Sequence, residues 1–116
     1  MLIKLPFPPA SLSGHATRNH WAKTQTTKQW REAACMAAKT QPKPQFEETG
    51  DIFVRVTFTP PDNRSDRLNY YNRLKPIFDG IADALGVNDK RFVPIMDRAS
   101  FNRPSKPGRV VLEVWQ

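Results

Sequence analysis

Acidic and basic side chains are mixed densely in one stretch of the sequence, residues 60–91. Its carboxylates and cations are Asp62, Asp66, Asp79, Asp83 and Asp89 among Arg64, Arg67, Arg73, Lys75, Lys90 and Arg91. A metal-dependent phosphodiesterase needs this combination, because carboxylates hold Mg²⁺ at the scissile phosphate while cations hold the nucleic-acid backbone. Solvated helices also mix acids and bases, so the pattern alone is weak support for chemistry.

The charge balance of the whole chain points in the same direction. Its 116 residues, enough for one domain, include 18 Lys and Arg against 11 Asp and Glu, a net charge of +7. Such an excess favours a polyanionic partner, most commonly nucleic acid, although a merely soluble basic protein has the same composition. Cys35 is the only cysteine. The sequence therefore excludes an intrachain disulfide and a cysteine-rich metal site.

Targeting signals are not evident in the sequence. The first residues, MLIKLPFPPASLSG, lack the apolar core and cleavage site of a signal peptide. No apolar run approaches the ~18 residues that a membrane-spanning helix needs. A single cysteine also suits a reducing compartment. We therefore expect a cytoplasmic protein without a membrane partner.

Periodicity and turn residues predict the elements that must position the charged side chains. We expect strands at residues 2–7, 51–59, 95–102 and 109–115, and helices at residues 19–39, after an N-cap at Thr17, and 67–85. Gly86 follows the second helix where a C-terminal cap glycine is favoured. The order β-α-β-α-β-β predicts a single α/β domain over residues 1–116, with a small mixed sheet of about four strands and two helices.

Several short motifs lie along this framework. The chain opens with Pro6-Phe7-Pro8-Pro9, Leu12-Ser13-Gly14, His20-Trp21 and Trp30-Arg31-Glu32, and continues with Asp66-Arg67-Leu68-Asn69, Lys75, Phe78-Asp79-Gly80 and Asn88-Asp89. Their order and spacing resemble the RusA-like family of Holliday-junction resolvases over nearly the whole chain. Members of that family carry an Asp-x-Asp-Asn motif opening a helix, then a lysine, a helical Asp and an acidic pair.

The resemblance implies a Mg²⁺-dependent endonuclease that cleaves four-way or otherwise branched DNA. Asp66 and Asp89 would then be metal ligands, with Asp79 as a further candidate ligand. Lys75 would stabilise negative charge that develops on the phosphate. The DNA backbone would be held by Arg64, Arg67, Arg73, Lys90 and Arg91.

Two positions depart from the family pattern. Leu68 stands where the second motif acid is expected, and Asn88 where the first acid of the later pair is expected. Another register sets residues 69–72 against the motif and loses both of its acids. With fewer carboxylates Mg²⁺ would be held weakly, so the chain could be a slow enzyme, an enzyme that recruits Asp79, or a DNA binder without cleavage.

Each candidate also has a purely structural interpretation. Asp66 would be a favourable N-cap of the second helix, and Asp79 stands four residues after Lys75, the spacing of a surface ion pair. Asp89 suits a turn, and Asp83 suits a solvated helix surface. Trp21 and Trp30 are expected in packing rather than in base stacking. A zinc site at His15 and His20 lacks a third ligand.

The length of the second predicted helix leads to a prediction about assembly. If residues 67–85 form one unbroken helix, Asp66 and the following turn lie ~28 Å apart. The four residues 86–89 span only ~13 Å, so one chain could not bring Asp66 and Asp89 to one Mg²⁺. We therefore expect a homodimer in which Asp66 of one subunit meets Asp89 of the other.

Overall fold

A computed structural model describes residues 1–13 and 20–116, with only the backbone for residues 20–23. The described residues form a four-stranded sheet and three α-helices. In chain order these are β1 (Leu2–Pro6), α1 (His20–Lys39), β2 (Ile52–Thr59), α2 (Arg67–Tyr71), α3 (Lys75–Leu85), β3 (Phe92–Ile95) and β4 (Arg109–Trp115). The predicted α/β class is confirmed. The predicted N-cap Thr17 and His15 lie outside the described residues, as do the side chains of His20 and Trp21.

The sheet is mixed, with the strand order β1-β4-β2-β3. β4 pairs antiparallel with both β1 and β2, whereas β2 and β3 run parallel. Parallel neighbours require a crossover connection, and α2 and α3 supply it. β3 is an edge strand in which Pro94 pairs with Val54. The sheet therefore places the β2-α2-α3-β3 segment, which carries most of the candidate site, in one crossover unit.

The third strand differs from its predicted position at residues 95–102. β3 ends at Ile95, and a short 3₁₀ turn, Arg98–Ser100, follows it. Asp97 caps this turn: its carboxylate accepts from the Ala99 amide, and its own amide donates to Ser100 Oγ. Such a capping pair competes with strand pairing, because it satisfies the backbone locally. Phe101 then meets β2 through a single bridge to Phe58.

The second predicted helix is divided, so the prediction of one helix over residues 67–85 is wrong. α2 ends at Tyr71, and α3 starts at Lys75 with Pro76 in its first turn. Proline lacks an amide hydrogen and disfavours helical backbone before it, so it is tolerated where a helix begins and not in its interior. Gly86 caps α3 with a φ of 67°, as predicted. The ~28 Å separation assumed an unbroken helix and no longer holds.

The core forms where α1 and α3 pack against each other and against the sheet. Alternate residues of β2 are buried, as their pattern predicts, and Trp30 packs against the core. At Gly80 the helices nearly touch: a Cβ built there would lie 2.2 Å from the Arg31 carbonyl oxygen and 2.9 Å from Ala34 Cβ. Only a residue without a side chain fits this contact. Among the described residues no helix is both long and apolar enough to cross a membrane.

Replacing Gly80 by alanine tests this contact. In an open helix the change would stabilise by roughly 1 kcal/mol through higher helix propensity. Because the new methyl group would overlap the Arg31 carbonyl, we expect Gly80→Ala to lower the free energy of unfolding by about 1–3 kcal/mol. Equilibrium urea unfolding measures the difference. A more stable variant would show that the helices can separate at little cost.

Candidate functional site

The candidate residues fall into two groups. The lysine cluster consists of Lys75, Asp79 and Asp89, with Arg31 and Asp83 beside it. The arginine concavity contains Asp66 and Arg67 and has a volume of about 670 Å³. Its lining residues are Pro60, Asp62, Asn63, Ser65, Asp66, Arg67, Leu68, Tyr70, Phe101, Asn102, Arg103 and Pro104. The two residues predicted to share a magnesium ion, Asp66 and Asp89, thus belong to different groups.

Lys75 is the centre of the lysine cluster. Its Nζ donates to Asp79 Oδ1 at 2.9 Å and to Asp89 Oδ2. Asp79 lies one turn along α3, whereas Asp89 begins the 3₁₀ turn after Gly86, where the chain has returned to the start of α3. The hydrogen bonds to Asp89 and Asp79 raise the pKa of Lys75, and the bond from Lys75 lowers the pKa of Asp89. Near neutral pH the Lys75 ammonium and the Asp89 carboxylate are therefore both charged.

Arg31 extends the cluster from α1. Its Nε and Nη2 donate to the two oxygens of Asp83 at 2.7 and 2.9 Å, and Nη1 lies 4.0 Å from Asp79 Oδ2. This two-pronged bond raises the pKa of Arg31 and lowers that of Asp83. The predicted ion pair of Lys75 with Asp79 is present, but Asp83 is bonded rather than merely solvated. Arg31 lies 52 residues before Asp83, so no local pattern marks this partner.

The carboxylates do not fit a magnesium site in this arrangement. Asp66, the N-cap of α2, lies apart from the other two acids, while Asp79 and Asp89 share the Lys75 ammonium. Mg²⁺ needs carboxylate oxygens free to coordinate it. Within residues 1–13 and 20–116, no three His, Cys, Asp or Glu side chains form a group that could hold a metal ion. The structural roles considered for Asp66 and Asp89, as an N-cap and in a turn, are both observed.

The arginine concavity has an aromatic ring in its wall. The Arg67 guanidinium lies 4.8 Å from the centroid of Phe101, and Phe101 stacks on Phe58 with centroids 5.5 Å apart. Asn102 is fixed beside them, because its side-chain Nδ2 donates to Thr59 Oγ1 and its backbone amide donates to the Phe58 carbonyl. Among the described side chains, neither Arg67 nor Arg103 pairs with a carboxylate. The concavity therefore offers cations that are not already neutralised.

Arg73 is a buried side chain that stabilises the loop next to the arginine concavity. It is only 6% exposed and donates to the Pro8 carbonyl at 3.1 Å and to Ser65 Oγ at 3.2 Å. Its guanidinium also packs on the rings of Phe7 and Tyr70. Burial lowers the pKa of Arg73. The group predicted to hold DNA thus does not face solvent, and it holds the loop before α2 in place instead.

Of the other side chains predicted to contact DNA, some are exposed and one is bonded within the protein. Arg64 and Lys90 are exposed, although Arg64 lies 3.8 Å from Asp62. Arg91 donates to the carbonyls of Glu47 and Gly50, so it anchors the segment before β2. Leu68, which stands at an expected acidic position, is 69% exposed.

Sequence patterns missed three residues of the concavity: Phe101, Asn102 and Arg103. The sequence placed Phe101 and Asn102 in a strand and Arg103 in a turn. The bridge from Phe58 to Phe101 brings this segment against the loop before α2. The isolated aromatic before an Asn-Arg pair was the available signal, and it is too common to identify a site.

Comparison with known proteins gives no named function. No protein-family model matches the chain. A protein of Xylella fastidiosa (strain Temecula1), described as an uncharacterized protein, is 37% identical over 95 residues. The match covers 78% of this chain and 61% of that protein, so the chain spans about three fifths of the relative's length.

The Lys75→Gln variant tests whether the Lys75 ammonium lowers the pKa of Asp89. Without the ammonium, the pKa of Asp89 should rise towards the ordinary aspartate value of ~3.9. The pKa of Asp83 is lowered mainly by its bond to Arg31. It should therefore stay low in the variant, and it serves as the internal control. In the wild type, the stabilisation from the Lys75–Asp89 bond is present above pH ~3.9 and is lost as the pH falls through the lowered pKa of Asp89. Carboxyl NMR titration measures both groups, and an Asp89 pKa that does not move would contradict the assignment.

Proposed function

We propose that this protein binds branched DNA, with four-way junctions as its substrate class, through the arginine concavity. The observation that supports this most directly is that Arg67 and Arg103 line a recess without a carboxylate partner among the described side chains. Such cations can neutralise phosphates and release the counterions condensed on the nucleic acid, and this release supplies most of the affinity of non-specific nucleic-acid binding.

The rest of the charge distribution agrees with this assignment. In the lysine cluster, Asp79, Asp83 and Asp89 each contact a cation, so Lys75 and Arg31 are already neutralised. The two acids of the concavity bond to backbone amides and not to its arginines: Asp62 accepts from the Arg64 amide and Asp66 from the Asn69 amide. On a chain with a net charge of +7, Arg67 and Arg103 are therefore the groups of the concavity that would contact a polyanion.

The choice of branched DNA over other nucleic acids rests on the RusA-like resemblance. The sequence motifs from Pro6 to Asp89 follow the order found in that family, and the mixed four-stranded sheet is compatible with the expected domain. Charge alone would favour any polyanion.

We also propose that the protein acts as a homodimer. The single long helix on which this expectation was based is not present, but Asp66 and Asp89 still lie in different groups of one chain, and α2 supplies separate support for a dimer. Leu68, which also lines the arginine concavity, and Tyr71 are 69% and 45% exposed and stand three residues apart, on one face of that helix. Exposed apolar side chains that lie together mark association surfaces, and twofold dimers are the most frequent closed assemblies. Light scattering at micromolar concentration gives the mass that decides this point.

Magnesium-dependent endonuclease activity at the branch, as in DNA recombination and repair, is a second candidate. The convergence of Asp79 and Asp89 near the surface favours it, since two carboxylates and a substrate phosphate can suffice to hold Mg²⁺. Against it stands the Lys75 ammonium, which contacts both carboxylates. Binding without cleavage is therefore the leading proposal.

Salt dependence tests the binding mode. Arg103→Gln should weaken binding to a synthetic four-way junction and reduce the slope of log affinity against log salt concentration by about 1, because one phosphate contact is lost. Lys28→Gln removes an equal charge from the exposed surface of α1 and should leave the slope unchanged. Fluorescence anisotropy over a salt series measures both. Equal effects of the two variants would mean that only net charge matters.

Incubation of the junction with Mg²⁺ separates the two candidate functions. We expect the wild-type protein to shift the junction in a gel without nicking it, because Lys75 holds both carboxylates of the cluster. The Asp89→Asn variant should then bind as the wild type does. Nicking that requires Mg²⁺ and disappears in Asp89→Asn would establish the hydrolase instead.

A further inference from the structure

We propose that the arginine concavity takes up a single unpaired nucleobase, which stacks on the Arg67–Phe101 pair. This inference rests on the proposed binding of DNA and specifies what the protein recognises there: a base that has left the double helix, rather than the phosphate backbone alone. Four features of the concavity support it: its size, its stacking surface, its hydrogen-bonding groups and its charge.

The size of the recess fits a small planar ligand. Its volume of about 670 Å³ lies within the range of roughly 300–1,000 Å³ found for small-molecule sites. A phosphate contact needs only an exposed cation, so a recess of this size is more than backbone binding requires.

The stacking surface is held rigidly. Phe101 stacks on Phe58, which is fully buried, with an angle of 15° between the rings. Arg67 packs on the same Phe101 ring. Since Phe58 and Arg67 both cover the Phe101 ring, the surface left for a base is the outer face of the Arg67 guanidinium, and unpaired bases stack on such planes in nucleic-acid complexes. Because Phe58 belongs to the core strand β2, the pair is positioned before any ligand arrives.

The lining also offers hydrogen-bond acceptors at the edge of that surface. Asn102 uses its side-chain nitrogen for Thr59, which leaves its carbonyl oxygen available. Asp62 and Asp66 each spend one oxygen, Oδ1, on a backbone amide. Oxygens of Asn and Asp accept from the exocyclic amino groups of bases. These acids, which would repel a phosphate, are therefore suitable neighbours for a base edge.

The concavity also has cations that can contact the phosphates on either side of such a base. Arg67 and Arg103 line the recess, and Arg64 lies beside Asp62. A base reaches a recessed surface only after it leaves its stack. This costs least where pairing is already interrupted, as at a branch point. The concavity would thus add affinity for interrupted DNA over continuous duplex.

Three fluorescent DNA probes of one length test the proposal: a fully paired duplex, the same duplex with one unpaired adenine, and one with an abasic residue in place of that adenine. Fluorescence anisotropy gives the three affinities. We expect the wild-type protein to bind the unpaired-adenine probe about tenfold more tightly than the abasic probe, because only the former carries a base to stack.

Arg67→Lys is the diagnostic variant, since lysine keeps the positive charge and loses the flat stacking surface. The position is exposed, so the fold should survive the change. We expect the preference for adenine over the abasic residue to disappear in Arg67→Lys and to persist in the control Lys28→Gln. An unchanged preference in Arg67→Lys would overturn the stacking role of Arg67.

The outcomes separate this inference from the function on which it rests. If the wild-type protein binds none of the three probes and no four-way junction, the proposed DNA binding itself fails. If it binds all three probes equally, DNA binding stands and the base site is wrong. A preference for both interrupted probes over the paired duplex, without one between them, would mean that the protein recognises bent backbone.

Discussion

Close packing of α1 on α3 at Gly80 is the contact on which the rest of the molecule depends. The backbone atom that Gly80 approaches is the carbonyl oxygen of Arg31, and the side chain of that same residue reaches Asp83 and Asp79. These acids stand on either side of Gly80 in the sequence of α3. The contact that closes the core therefore also fixes the partner of the acidic surface of α3. A larger residue at Gly80 would disturb the core and the ion pairs together.

A second constraint is the interruption between α2 and α3. Pro76 favours a new helix start, and regular α-helix is interrupted between Asn72 and Leu74. The short helix α2 is thereby free to carry Arg67 against Phe101, while α3 keeps Lys75 with Asp79 and Asp89. Among the described side chains, the break separates a surface whose arginines lack carboxylate partners from a cluster in which each cation is paired with carboxylates. The proposal of DNA binding over hydrolysis rests on this separation.

The periodic parts of the fold could be predicted from the sequence, but the contacts between distant segments could not. The alternation in β2, the alanine-rich face of α1 and the cap at Gly86 are each set by neighbouring residues, so they could be predicted. The end of β3 and the interruption at residues 72–74 could not be predicted in this way. In both places local effects, the Asp97 capping pair and Pro76, compete with a longer hydrophobic pattern. The Arg31–Asp83 bond and the Phe58–Phe101 stack join residues 52 and 43 positions apart, and no local pattern encodes such pairs.

Proline at both edges of the sheet has a consequence for the behaviour of the protein at high concentration. β1 ends at Pro6, and β3 is only four residues long and contains Pro94. An edge strand with missing amide donors is a poor template for a strand from another molecule, because a hydrogen-bonded ladder cannot continue across it. Lys4, exposed in β1, adds a charge that would meet its own copy in an in-register pairing of two such strands. The sheet is thus protected against growth into fibrillar aggregates at both edges.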